Sequence, residues 1–340
     1  FTVPGAVDAF ALLLETYGFK RFEEILAPAI EYAEHGFPMY DYLYNRLNNP
    51  TILEQFKRYP PGGIDIFYPG GSPIEVGQLI LQPQLASQLR KMATAANNNG
   101  HDRESSIRAG RDVFYKGEVA EAIIAASHKV GGLLSTEDLS EYNAKFEEPI
   151  KTRFGEYDIY AQGAWSQGGV LLQALNMVEK FDLISMGHNS AKYIHVVAEA
   201  LKLAFADREA YYGDPDFSNI PIDGLISKEY GAIRASSIDS DRACPELPLP
   251  GDPWVYSKFQ KPDRKPSIPL LIPSSEQGFP AGAGTTHFSI IDNLGNIVCA
   301  TPSGGELQSS IFFPELGFTL STRSEMFFLE EGHPNSLEPR

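Results

Sequence analysis

Thr285 stands directly after Ala281-Gly282-Ala283-Gly284, four small residues with little steric restraint, and opens a stretch whose apolar residues alternate. A threonine hydroxyl is a weak nucleophile until a base lies beside it. The α-amine of an N-terminal threonine is such a base, held at close range by the chain itself. Freeing that amine requires the preceding peptide bond to break. The same hydroxyl can do this by attacking the Gly284 carbonyl, giving an ester that water then cleaves. Gly284 suits the step because no side chain obstructs the attack and glycine tolerates a strained backbone. Gly284 and Thr285 therefore form the candidate processing pair, with Thr285 the candidate catalytic nucleophile. An ordinary strand following a loop would show the same local spacing.

The surrounding elements fit a cleavable junction. Between Glu246 and Gly284, Pro248, Pro250, Pro253, Pro262, Pro266, Pro269, Pro273 and Pro280 interrupt any regular element, so this stretch reads as a linker or exposed loop. Beyond it the period becomes two. Thr285, His287, Ser289 and Ile291 should share one face of a strand, and Thr286, Phe288 and Ile290 the other. Asp292-Asn293-Leu294-Gly295-Asn296 predicts a tight turn, and 297–301 a returning strand. His287 is read as structural rather than as a general base, since the freed amine already fills that role.

Upstream the pattern is helical. Val7, Phe10, Ala11 and Leu14 recur at helical spacing and stop at Gly18, and a second helix is expected over 21–34, bent by Pro28. Further helices are expected over 84–96, 118–127, 170–178 and 190–211, the last capped by Asn189 or Ser190 with Ile194, Val197, Ala198, Leu201, Ala204 and Phe205 on its core face. His195 on that helix reads as a structural histidine, and no HExxH or paired-histidine spacing suggests a metal.

A net charge of −16 over 340 residues argues against a basic nucleic-acid footprint. The two cysteines, Cys244 and Cys299, make no disulfide framework. No apolar run has the length of a membrane span. Nothing suggests a cofactor, since no GxGxxG lies between a strand and a helix. Localisation stays open.

Gly284-Thr285-Thr286-His287-Phe288-Ser289-Ile290-Ile291-Asp292, followed by Gly295-Asn296, resembles the start of the small subunit of γ-glutamyltransferases. Other blocks agree in order: Val3-Pro4-Gly5-Ala6-Val7, Leu26-Ala27-Pro28-Ala29-Ile30, Phe114-Tyr115-Lys116-Gly117, His188-Asn189-Ser190, Ala206-Asp207-Arg208 and Gly213-Asp214-Pro215-Asp216-Phe217. The similarity spans essentially the whole chain. It implies an α+β fold, the αββα sandwich of N-terminal-nucleophile hydrolases, here mostly the helical large-subunit part plus the first small-subunit strands. Residues 1–245 would be the large-subunit region, 246–284 the Pro-rich loop to the processing site, and 285–340 the start of the small subunit, interwoven in one domain.

The implied reaction is attack on a γ-glutamyl or related acyl amide, an acyl-enzyme, and its resolution by water or an acceptor amine. The implied partners are that small molecule and the chain's own cleaved subunit. Oxyanion donors, worth on the order of 3 kcal/mol each, are expected beyond Arg340, and the family's substrate-carboxylate arginine before Phe1, so this chain alone should lack a complete site. The start at Phe1 without a Met and the abrupt Leu337-Glu338-Pro339-Arg340 end lead to the expectation that both ends are cut. Ser303 occupies the place of a family threonine that assists the nucleophile. Gly305 replaces a substrate-binding Asn, while Glu325 is a candidate substrate contact. Phe328 stands where an Asp would hold the substrate's α-amino group, which disfavours ordinary glutathione-type substrates. Pro302-Ser303-Gly304-Gly305, Leu307-Gln308-Ser309-Ser310 and Gly332-His333-Pro334-Asn335 resemble the acylase-like branch instead.

Two other readings remain. Ala164-Trp165-Ser166-Gln167-Gly168 resembles a nucleophile elbow, which would make an α/β-hydrolase using Ser166. Alternatively, the family fold serves as a non-catalytic binding protein.

Overall fold

The computed structural model describes residues 1–58, 63–98, 102–262, 285–304 and 311–337. The chain forms two compact units, Phe1–Lys145 with Pro280–Met326, and Phe146–Phe279 with Phe327–Arg340.

The first unit is mainly helical, with α1 (Ala6–Tyr17), α2 (Phe22–His35), α3 (Pro83–Asn98), α4 (Arg103–Tyr115) and α5 (Glu118–Lys129). Phe22, Met92, Ala96, Ile107, Phe114, Val119 and Ile123 from these helices share one core with Phe313, Leu316 and Leu320. The helix α2 runs through Pro28 to His35. A capping box starts α4: the Asp102 carboxylate accepts from the Ser105 amide at 2.7 Å, and the Asp102 amide donates to the Ser105 hydroxyl at 3.3 Å. Gly110 lets this helix approach α2 closely, since a Cβ there would sit 2.5 Å from the Phe22 ring. Across α1 and α4, the buried Arg111 guanidinium donates to Asp8 at 2.6 Å and to the Tyr142 carbonyl at 2.6 Å. Those bonds satisfy charges that would otherwise be costly to bury.

In the second unit, β1 (Ile150–Phe154) and β2 (Tyr157–Ala161) form an antiparallel hairpin. The helix α6 (Gly168–Val178) is buried along most of its length and packs beside α7 (Ala191–Tyr211) and α8 (Lys228–Ala235). Ser190 caps α7 by accepting from the Tyr193 amide at 3.1 Å. Its buried face is rotated from the one that apolar spacing predicts. Val196, Ala200, Leu203, Ala204, Asp207 and Tyr211 are buried, whereas Ile194 is 54% exposed. Small side chains explain the rotation: Ala200 and Ala204 allow close helix contact, and the polar Asp207 goes inward because donors meet it there.

Four donors converge on that carboxylate. Gly251 N (2.8 Å) and the Arg234 guanidinium (3.1 Å) reach one oxygen, while Tyr230 Oη (2.9 Å) and Gln173 Nε2 (3.1 Å) reach the other. Among the described residues, no helix is long and apolar enough to cross a membrane.

Candidate active site

The site is built on a hairpin of the first unit, β3 (Phe288–Ile291) and β4 (Ile297–Ala300), paired antiparallel from Phe288↔Ala300 to Ile291↔Ile297. Its turn has the predicted chemistry. Asp292 accepts from the amides of Leu294 (2.9 Å) and Asn296 (2.8 Å), and Gly295 takes a φ of 84°, a conformation that suits glycine. Hydrogen bonds from the Asn296 side chain and backbone hold the Asp292 carboxyl below the usual carboxylate range.

Regular pairing stops at Phe288, but the two chains stay together. The Thr286 amide donates to the Pro302 carbonyl at 3.2 Å, and Thr285 forms an isolated antiparallel bridge with Ser303. This register sets the two hydroxyls side by side, with Thr285 Oγ1 2.9 Å from Ser303 Oγ. The predicted catalytic pair is thus in direct hydrogen-bond contact, and both residues are exposed. Gly284 and Gly305 lie outside the described residues.

A residue not singled out by sequence joins them. The Arg323 guanidinium donates through Nη2 to Ser303 Oγ. Arg323 is placed by its neighbours: the Thr322 amide bonds the Gly304 carbonyl at 3.0 Å, and the Arg323 amide bonds Ser321 Oγ at 3.2 Å. It starts a short 3-10 turn, Arg323–Met326, that also contains Glu325. Glu325 is exposed and its amide bonds the Thr322 carbonyl at 3.0 Å. No hydrogen bond among the described residues links the Glu325 carboxylate to Thr285 or Ser303.

His287 has both ring nitrogens engaged, Nδ1 with Thr301 Oγ1 at 2.8 Å and Nε2 with Ser289 Oγ at 2.9 Å. Neither of these contacts is to the Thr285 hydroxyl. In the second unit, Phe328 stacks on His333 with ring centroids 3.7 Å apart, and its backbone bonds Asn335 and Leu337. His195 Nε2 meets the Asp239 carbonyl at 2.7 Å, a structural contact.

Ser166 is not a nucleophile elbow. The strand before it, β2, belongs to a two-stranded antiparallel hairpin rather than to a central parallel sheet. Its hydroxyl donates to the Gly163 carbonyl at 3.0 Å and accepts from the Gly168 amide at 3.1 Å, so it stitches the turn that starts α6.

The profile of the family described as Gamma-glutamyltranspeptidase matches residues 1–340. The chain belongs to the gamma-glutamyltranspeptidase family. It is 31% identical over 335 residues to the glutathione hydrolase proenzyme of Escherichia coli (strain K12), covering 98% of this chain and 51% of that protein. To the acylase ACY 1 proenzyme of Pseudomonas sp. (strain SE83) it is 29% identical, covering 99% of this chain and 53% of that one. Its structure superposes on the cephalosporin acylase from Bacillus halodurans with a TM-score of 0.78 at 27% identity, over 99% of this chain and 55% of that one. The chain therefore spans about half the length of the relatives it matches. With these neighbours, the α+β fold is that of the N-terminal-nucleophile hydrolases, and the α/β-hydrolase alternative is set aside.

Proposed function

We propose that the protein is a self-processing amide hydrolase or acyltransferase of the gamma-glutamyltranspeptidase family, with Thr285 as nucleophile. One observation carries the proposal: the Thr285 and Ser303 hydroxyls lie 2.9 Å apart at the end of the hairpin. Cleavage between Gly284 and Thr285 frees the threonine amine. The amine then takes the hydroxyl proton, and Thr285 Oγ1 bonds to the acyl carbon of the amide while the carbonyl electrons move to oxygen. Collapse of that intermediate expels the amine, which leaves with the proton held by the α-ammonium. Water or a second amine then resolves the ester. Ser303 stabilises the nucleophile's oxygen by hydrogen bonding.

The substrate class is a γ-glutamyl or related side-chain acyl amide, in line with relatives named as glutathione hydrolase and acylase proenzymes. Gly305 and Glu325 are the proposed substrate contacts, and the partner is the chain's own cleaved subunit. The test is denaturing electrophoresis of the full-length gene product with N-terminal sequencing. Two fragments, the smaller beginning at Thr285, support the proposal, and Thr285→Ala should remain whole. A single wild-type band would instead favour a non-catalytic binding protein. A panel of γ-glutamyl and glutaryl anilides then addresses the acyl group.

A further inference from the structure

We infer that Arg323 is a positioning residue for the nucleophile, acting through Ser303. The inference rests on Thr285 being that nucleophile. A serine hydroxyl carries one proton and two lone pairs. In this site the Arg323 guanidinium donates to Ser303 Oγ, and among the described residues the other hydrogen-bond neighbour of that oxygen is Thr285 Oγ1. A guanidinium is a donor with no acceptor capacity, so this bond is charge-assisted and runs in one direction, from Arg323 to Ser303. With its oxygen polarised by a cation, Ser303 becomes a better donor and a poorer acceptor. Its proton is therefore directed at Thr285 Oγ1. The proton of Thr285 is left outside the pair, available to a base.

The relay also has the right charge. When Thr285 loses its proton, negative charge grows on an oxygen two hydrogen bonds from the guanidinium, about 5–6 Å away. A fixed cation at that range lowers the energy of the charge, and the intervening Ser303 proton transmits it. Arg323 is available for the task, because no carboxylate among the described residues pairs with it; its other contact is a long one, from Nη1 to Met326 Sδ at 3.6 Å. The backbone bond between Thr322 and Gly304 holds the arginine beside the hairpin end, so the geometry is built into the chain before any substrate arrives.

Self-cleavage before Thr285 reads this relay without any added substrate. In the step, Thr285 Oγ loses its proton to water and bonds to the preceding carbonyl carbon. The C–N bond then breaks with transfer of a proton to nitrogen, and water later hydrolyses the ester. The experiment follows splitting of the full-length gene product over time, as a function of pH, for wild type, Arg323→Met, Arg323→Lys, Ser303→Ala and the double variant Arg323→Met/Ser303→Ala. Arg323→Met should slow splitting about tenfold, as expected for loss of one charge-assisted hydrogen bond, and move the rising limb of the pH profile upward. Arg323→Lys should recover most of the rate. In the Ser303→Ala background, Arg323→Met should cause no further loss, since the relay is already broken.

Full additivity of the two substitutions, or an unchanged rate and pH profile in Arg323→Met, would overturn the inference. If Arg323→Met melts at a lower temperature than wild type, Arg323→Lys and Arg323→Gln at matched stability decide the matter: a rate that differs between them by the charge alone supports the relay, and equal rates refute it. Splitting that persists in Thr285→Ala would instead remove the nucleophile assignment itself, whatever Arg323 does.

Discussion

Thr285 and Ser303, 18 residues apart in sequence, meet hydroxyl to hydroxyl because the hairpin register pairs their backbones as well as their side chains. Removing the Ser303 hydroxyl deletes the one hydroxyl contact to the nucleophile among the described residues, while the backbone bridge persists. Ser303→Ala should therefore cut self-cleavage and turnover on the order of 10- to 100-fold with little change in folding. Ser303→Thr keeps the hydroxyl and should retain most of the rate. A time course of splitting for both variants checks the pair, and equal rates for Ser303→Ala and wild type would count against it.

His287 is the nearest imidazole in sequence to the nucleophile, yet Thr301 and Ser289 occupy both its nitrogens. Its substitution separates a structural histidine from a base. His287→Gln should leave processing and activity within about threefold of wild type, since an exposed hydrogen bond contributes under ~1 kcal/mol. A general base would cost about 100-fold or more. Rates measured on the matched pair of proteins decide between these roles.

Much of the hairpin is legible in the sequence because its signals are local. The period-two alternation after Thr285 and the Asp292-to-Asn296 turn depend on residues within four positions of each other. The extent of α7 is legible for the same reason, through Ser190 at its cap, but its buried face is not. Apolar spacing cannot register that Asp207 finds four donors on separate elements, or that two alanines permit close packing. Helix α4 carries few apolar residues and buries Ser106 and Arg111 instead, so its periodicity is faint. Arg323 lies 20 residues from Ser303, and only the folded chain brings it to the site.

Asp207 should matter to stability in the second unit. It is fully buried, as nearly is Arg234, and the carboxylate also holds Gly251, Tyr230 and Gln173. Truncation would strand a buried guanidinium without its partner, which typically costs about 3–5 kcal/mol. Thermal melting of Asp207→Ala in the full-length gene product should show a transition lowered by roughly 10 °C or more. Asp207→Asn, which can still accept from part of the donor set, should fall between the two. An Asp207→Ala protein that melts with wild type would mean that the carboxylate is not needed for packing.

The turn that closes the hairpin should respond to pH with a defined sign. Hydrogen bonds from the Asn296 side chain and backbone, then from the Leu294 and Gly295 amides, favour the charged carboxylate of Asp292 and lower its pKa in the folded state. The unfolded chain therefore takes up the proton first as pH falls, near the ordinary aspartate value of about 3.9. Stabilisation of the turn by this carboxylate is accordingly complete above that value and is lost as pH drops through the lower, folded value. NMR titration of the Asp292 carboxyl carbon should give a midpoint below the ordinary aspartate range, with the Leu294 and Asn296 amide shifts moving in step. Replacing Asn296 with alanine removes the largest contribution, so Asn296→Ala should move the midpoint back up. A midpoint at or above the ordinary value in wild type would show that the charged form gains nothing from these donors.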